Sequence, residues 1–252
     1  MGVIGGELGV RLLNLASRNG TVGYPDVATA YRTKSKLETL FGPGIWPAVR
    51  DQDVLDFGCG PGAEAVEVAE HGARRVIGLD LRRKWLDAAS ALAEARGVAN
   101  KCVFGTDWAE PVDVILSVDS FEHFSDPAAI LVKMRSLLKP TGCVMASFGP
   151  TWYHPLGGHV YSVFPYSHLL FSEPALVRWR SLYKTDGART IEESGLNRIT
   201  IRRFENLVAS SPFKFAEFEA VPIRRLRPVA SRLTREFTTA IVRCKLVPRE
   251  AD

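Results

Sequence analysis

The chain has 252 residues, 46% hydrophobic, 10% aromatic and 24% charged, which supplies a buried core and excludes wholesale disorder, collagen-like fibres and coiled coils. A formal charge of only +4 excludes a polyelectrolyte binder, and no run approaches the ~20 apolar residues that cross a bilayer. Cys59, Cys102, Cys143 and Cys244 stand apart without CxxC spacing, so reduced, buried thiols are expected. The opening segment lacks the basic start and apolar block of a secretory signal, and Gly6 replaces the Ser or Thr of a myristoylation signal. A soluble cytoplasmic protein is expected.

Residues 1–50 read as a helical cap, with Val27, Tyr31, Leu37 and Leu40 on one face and Gly42 as terminator. Apolar, β-branched runs then follow at Asp53–Phe57, Arg75–Leu79, Lys101–Phe104, Val112–Val118 and Gly142–Phe148. Between them lie helical patterns: Ala63–Ala69, then a face of Trp85, Ala89 and Leu92 closed by Gly97. A third begins at Ser125-Asp126-Pro127, carries Ile130, Leu131, Met134, Leu137 and Leu138, and is stopped by Pro140 and Gly142. This alternation predicts an α/β fold with a mostly parallel sheet and helices on both faces. Residues 149–187 break the rhythm with Pro155, Gly157, Gly158, Pro165 and Pro174 and read as an inserted lid. Two final β-like runs, Phe213–Val221 and Phe237–Leu246, flank a connection rich in arginine.

The most informative segment is Val54-Leu55-Asp56-Phe57-Gly58-Cys59-Gly60-Pro61-Gly62, an apolar strand running into a glycine turn before a helix. Glycine permits the tight turn and lets a ligand approach the main chain, while the helix N-terminus offers unpaired N–H groups to an anion. The next strand ends at Asp80, where an acid accepts hydrogen bonds from ribose hydroxyls in sheets of this type. Gly58, Gly60 and Ala63 also satisfy a relaxed dinucleotide fingerprint, so the turn alone leaves a nicotinamide cofactor open.

Five ordered motifs narrow the choice: VLDFGCGPG at 54–62, GLD at 78–80, FGTDW at 104–108, VDVILSVDSFEHFSDP at 112–127 and LLKPTG at 137–142. Together they resemble the class I S-adenosylmethionine-dependent methyltransferases, nearest to the small-molecule subgroup that includes quinone-biosynthesis enzymes. The resemblance covers roughly residues 45–150. It implies a Rossmann-like sheet of seven strands, the last antiparallel, in a methyltransferase domain at 51–252. It also implies S-adenosylmethionine as cofactor. Asp56, Gly58, Cys59, Gly60 and Gly62 would receive its methionine end, Asp56 answering the cationic ammonium group. Asp80 would take the ribose hydroxyls with Leu81 beside it; Asp107 and Trp108 would meet the adenine. No reactivity is assigned to Cys59.

Methyl transfer is an in-line displacement, so alignment and exclusion of water are the main demands, and a base is useful but not obligatory. The insertion holds His154, His159 and His168 among many aromatic residues; His159, after a glycine pair, is the candidate general base or acceptor-orienting group. The aromatic excess suits a flat or apolar acceptor or a small core of the lid itself. Some relatives in the resembled subgroup hold a divalent metal on an acid-x-x-Glu-His cluster; here Asp119, Glu122 and His123 stand in that place, and no metal is assigned. From residue 197 onward twelve Lys and Arg face six Asp and Glu, which reads as a solvated basic face without a nucleic-acid module. The expected partner is a small-molecule methyl acceptor, with no nucleic acid and no stable membrane insertion. The rivals are an NAD-dependent oxidoreductase, which leaves Asp56 and FGTDW without a task, and a cofactor-binding module that transfers nothing.

Overall fold

The computed structural model describes residues 2–17 and 34–250. Helices α1 (Gly6–Ala16), α2 (Lys36–Phe41) and α3 (Ile45–Val49) precede β1 (Asp53–Phe57). The core continues through α4 (Ala63–Glu70), β2 (Arg75–Leu79), α5 (Arg83–Ala95), β3 (Cys102–Gly105), β4 (Val112–Val118), α6 (Pro127–Ser136) and β5 (Leu138–Phe148). After it come α7 (Ser167–Leu170), α8 (Glu173–Arg180), α9 (Ile201–Ala209), β6 (Phe213–Pro222), α10 (Arg235–Thr238) and β7 (Thr239–Pro248). The seven strands lie in the order β3-β2-β1-β4-β5-β7-β6. Neighbours from β3 to β5 are parallel, and β7 runs antiparallel to both β5 and β6. The expected Rossmann-like sheet with its last strand reversed is therefore present.

Parallel strands need helical cover on both faces, and the side-chain alternation supplies two apolar layers. Leu55, Ile77, Ile115 and Phe148 face α6 and α9 through Leu131, Met134 and Phe204, while Val54, Val76, Val114 and Leu116 face α2, α3 and α4. The order reverses between β1 and β4, so the crevice at their carboxyl ends is where such sheets bind ligands.

Several local expectations shift. Leu37 and Leu40 are buried in α2, and Gly42 caps it at φ 75°; Val27 and Tyr31 lie outside the described residues. In α5 the buried face is Leu86, Ala89 and Ala93, with Trp85 and Leu92 only half-buried. Small residues win there because the helix approaches the glycine turn closely: a Cβ on Gly62 would lie 2.5 Å from that of Ala89. Helix α6 is capped by Asp126, which accepts from Ala128 and Ala129, but ends before Leu137; Pro140 and Gly142 lie inside β5 instead. Strand β5 can hold Pro140 because pairing with β4 slips between Leu138 and Cys143, leaving no ladder bond for proline to break. The final strand starts later than expected, after the short turn α10.

The segment after β5 builds a small core of its own. Tyr161, Phe171, Leu176 and Trp179 pack with Val10 and Leu13 of α1 and with Ile191 and Leu196. Much of the aromatic excess is thus consumed in holding the segment and α1 together, and α1 and α8 are close neighbours.

Candidate cofactor and acceptor site

The turn after β1 is tied down by backbone bonds. The N–H groups of Gly58 and Cys59 both donate to the Leu79 carbonyl at 2.9 Å, joining it to the end of β2. Gly58 sits at φ 88° with Ser120 Oγ 2.5 Å from where a Cβ would be, so conformation and space both demand glycine. Asp80 clamps the same turn: Oδ2 accepts from Gly60 N at 3.1 Å and Oδ1 from Arg82 N at 2.8 Å. Leu81 beside it is 90% exposed, an aliphatic surface next to an acid.

Asp56, the fourth residue of β1, is buried, and its Oδ2 finds no hydrogen-bond partner among the described residues. Burial first, and Glu64 next, push its carboxyl up to about 8, against the opposing pull of Lys36. No cation among the described residues forms an ion pair with Asp56, Lys36 being held by Glu64 and Asp119, and the ammonium group of an amino-acid ligand could do so. Lys36, which sequence reasoning missed, reaches from α2 to within 2.9 Å of Glu64 Oε1 and 2.9 Å of Asp119 Oδ2. Burial works to lower its pKa, but the Asp119 and Glu64 carboxylates together outweigh it and raise the value. No local pattern announces Lys36; only the fold brings α2 over the turn.

Asp107 and Trp108 follow β3. Asp107 is largely exposed and pairs with Lys133 of α6 at 3.1 Å, which lowers its pKa. Trp108 donates from Nε1 to the Glu110 carbonyl at 2.8 Å and stacks under Arg75 at 5.1 Å, so it has packing partners of its own. Cys59 is buried and its thiol pushed up, chiefly by burial and then by Asp56, consistent with an inert residue. The four cysteines are unpaired thiols.

Beyond β4, Asp119 turns through φ 50° and pairs with Lys36 at 2.9 Å. Glu122 is buried; Oε1 accepts from Gly149 N at 3.2 Å, and Oε2 has no partner among the described residues. Burial and then Asp119 push its carboxyl up to about 8. His159 comes to this place from the insertion, its ring 5.6 Å from that of His123. One ligand-type atom from each of Glu122, His123 and His159 falls within 4.8 Å of the others, a donor set of the kind that suits a divalent cation. Glu122 and His159 also line, with Trp152, Leu196 and Arg198, a cavity of about 10 Å³.

The three histidines of the insertion differ in use. His168 is buried between Ser162 Oγ at 3.0 Å and the Trp152 carbonyl at 2.7 Å, and His154 Nδ1 accepts from Leu156 N at 2.9 Å. Both hold backbone in place. His159, at φ 50°, bonds through Nδ1 to the Gly157 carbonyl at 3.0 Å, and burial pushes it down to about 4. It is therefore neutral near pH 7 and a weaker base than an unperturbed imidazole.

With this geometry in view, the methyltransferase domain family matches residues 54–142. A ubiquinone biosynthesis O-methyltransferase of Neisseria meningitidis is 37% identical over 106 residues, 39% of this chain and 44% of that protein. A tRNA 5-carboxymethoxyuridine methyltransferase of Escherichia coli is 35% identical over 103 residues, 38% of this chain and 39% of that protein. The chain thus spans less than half the length of these relatives. The crystal structure of an S-adenosylmethionine-dependent methyltransferase from Mesorhizobium loti superposes with a TM-score of 0.53 at 21% identity, covering 81% of this chain and 93% of that one. Sheet order and glycine turn agree with these likenesses: residues 54–142 are similar to the methyltransferase domain family, and the chain shares the fold of the Mesorhizobium loti structure.

Proposed function

We propose that this chain moves a methyl group from S-adenosylmethionine to a small-molecule acceptor. The observation that carries the reading is the buried carboxyl of Asp56 at the mouth of the glycine turn, whose Oδ2 has no hydrogen-bond partner among the described residues. The bound cofactor would supply a sulfonium-activated methyl group. Asp56 would answer its ammonium group, the amides of the Gly58–Gly62 turn would lie against its methionine end, and Asp80 would accept from its ribose hydroxyls. The exposed Leu81 would border the adenine, and Asp107 would accept from its amino group. On the acceptor side, His159 and Glu122 would orient the nucleophile and keep water out; at its lowered pKa His159 hydrogen-bonds better than it strips protons. This reading needs alignment and desolvation, and it assigns no metal.

A small, apolar or aromatic acceptor is favoured by the enclosing insertion and by the likeness to the ubiquinone biosynthesis O-methyltransferase of Neisseria meningitidis. The oxidoreductase reading is not favoured, since it gives the buried Asp56 no cation. Calorimetry with S-adenosylhomocysteine and NAD tests the cofactor: micromolar binding of the first and none of the second is expected, and the reverse would end the proposal. Radiolabelled methyl transfer across acceptor classes, with bulk tRNA included, tests the substrate.

A further inference from the structure

We propose that the connection between β6 and β7 is a docking surface for an anionic lipid bilayer. Residues 223–235 contain five arginines and no acid. Arg235 is held by Glu205 at 2.5 Å. Arg224, Arg225, Arg227 and Arg232 are exposed and pair with no carboxylate among the described residues. Elsewhere arginines such as Arg74, Arg96, Arg180 and Arg243 are tied to acids within 3.0 Å.

Charge alone would suit any polyanion, and the apolar side chains choose among them. Leu233 is 94% exposed, Val229 59% and Phe237 46%, all within the same short stretch as the free guanidinium groups. Leu233 and Val229, with the Phe237 ring, stand in water among arginines and would gain from acyl chains at a headgroup boundary. A single-stranded RNA face would instead interleave several open aromatic planes with its cations for base stacking, whereas Phe237, the one aromatic residue in 223–237, packs against Tyr153 and Tyr166.

Position completes the argument. Pro222 pairs with Thr239 and Phe148 with Val242, so the connection projects beyond the same edge of the sheet as the carboxyl ends of β4 and β5. The Phe237 ring lies 5.2 Å from that of Tyr153, which joins the patch to the insertion beside the candidate acceptor site. A protein docked by this edge would face the bilayer with the site's own rim.

The test is flotation of the intact chain with vesicles of phosphatidylcholine alone or mixed with phosphatidylglycerol. Binding to the mixed vesicles only, released as salt rises from ~0.1 to ~0.5 M, is expected. Each arginine near a charged surface is worth about fivefold in partitioning, so Arg224→Ser, Arg225→Ser and Arg227→Ser together should weaken binding roughly a hundredfold. Leu233→Ser should weaken it about tenfold while leaving the salt dependence in place. All four positions are exposed, so unchanged melting curves will show that the fold survives. Failure to float, equal flotation with phosphatidylcholine alone, or unchanged binding in the variants overturns the proposal. So does a gel shift with tRNA that is lost in the triple variant while vesicle binding persists. Vesicle binding needs no cofactor, so its outcome is separate from that of the methyl-transfer assay.

Discussion

Asp56→Asn should stabilise the cofactor-free protein while destroying its affinity for the cofactor. Asp56 and Glu122 are both pushed up to about 8 by burial, whereas an unfolded chain ionises such groups near ~4. Between those values the folded protein keeps a proton that the unfolded chain has lost. Each group therefore lowers stability as pH rises, by about 1.4 kcal/mol per pH unit, and the loss is complete above about 8. His154, His159 and His168 run the other way: held down at about 4, they favour the folded state above their unfolded value of ~6.5. Their contribution is lost as pH falls from ~6.5 towards about 4. Near pH 7 the two carboxyls still outweigh the three histidines, which offset part of their effect, giving the wild type a slope of roughly −1 to −2 kcal/mol per pH unit. Asn at position 56 cannot ionise and should remove most of it. Near pH 7, about three units above the unfolded value, the variant should be more stable by up to ~4 kcal/mol. Urea unfolding at a series of pH values without cofactor measures both quantities, and calorimetry on the same samples should show S-adenosylhomocysteine binding weakened more than about tenfold, the loss of a charge-assisted contact. An unchanged slope, or a variant less stable than wild type at neutral pH, would refute the picture of an uncompensated buried acid.

Asp80→Ala removes two charge-assisted bonds that hold the turn, each worth roughly 1.5–3 kcal/mol, so it should lower the melting temperature as well as weaken cofactor binding more than about tenfold. Intact melting with weakened binding would mean that the clamp is unimportant in the free protein. Gly62→Ala meets both a φ of 82° and the Ala89 Cβ at 2.5 Å, and should cost about 2–4 kcal/mol. Gly60→Ala, at φ 49° but with open space, should cost only about 1–2 kcal/mol by denaturant unfolding. His159→Ala should lower turnover with cofactor affinity unchanged, and the wild-type rate should show no break near pH ~6.5, because its ring is held at about 4. A break near ~6.5 that disappears in the variant would instead make His159 the titrating base.

The fold was legible wherever the signal was contiguous. Strands β1, β2 and β4 begin and end where their apolar runs do, because a parallel strand buried on both faces needs an unbroken run. The periodicity of α5 pointed to Trp85, Ala89 and Leu92; Ala89 is buried as read, while the buried face turns to Leu86 and Ala93 beside it, Ala89 lying against Gly62 more than twenty positions away. Likewise the glycine turn with Asp56 and Asp80 could be read from neighbouring residues, since a tight turn is made by the amino acids in it. Lys36 and the meeting of Glu122 with His159 could not, since each pair is separated along the chain and joined only by packing.

What the sequence by itself determined was the class of sheet, the turn and the acids that border it, all properties of short segments. Only the tertiary structure decided their charge states. Burial raised Asp56 and Glu122, lowered His159, and brought Lys36 between Glu64 and Asp119. The free energy of an ionised group depends on everything packed around it, and that surrounding is assembled from elements far apart in the chain.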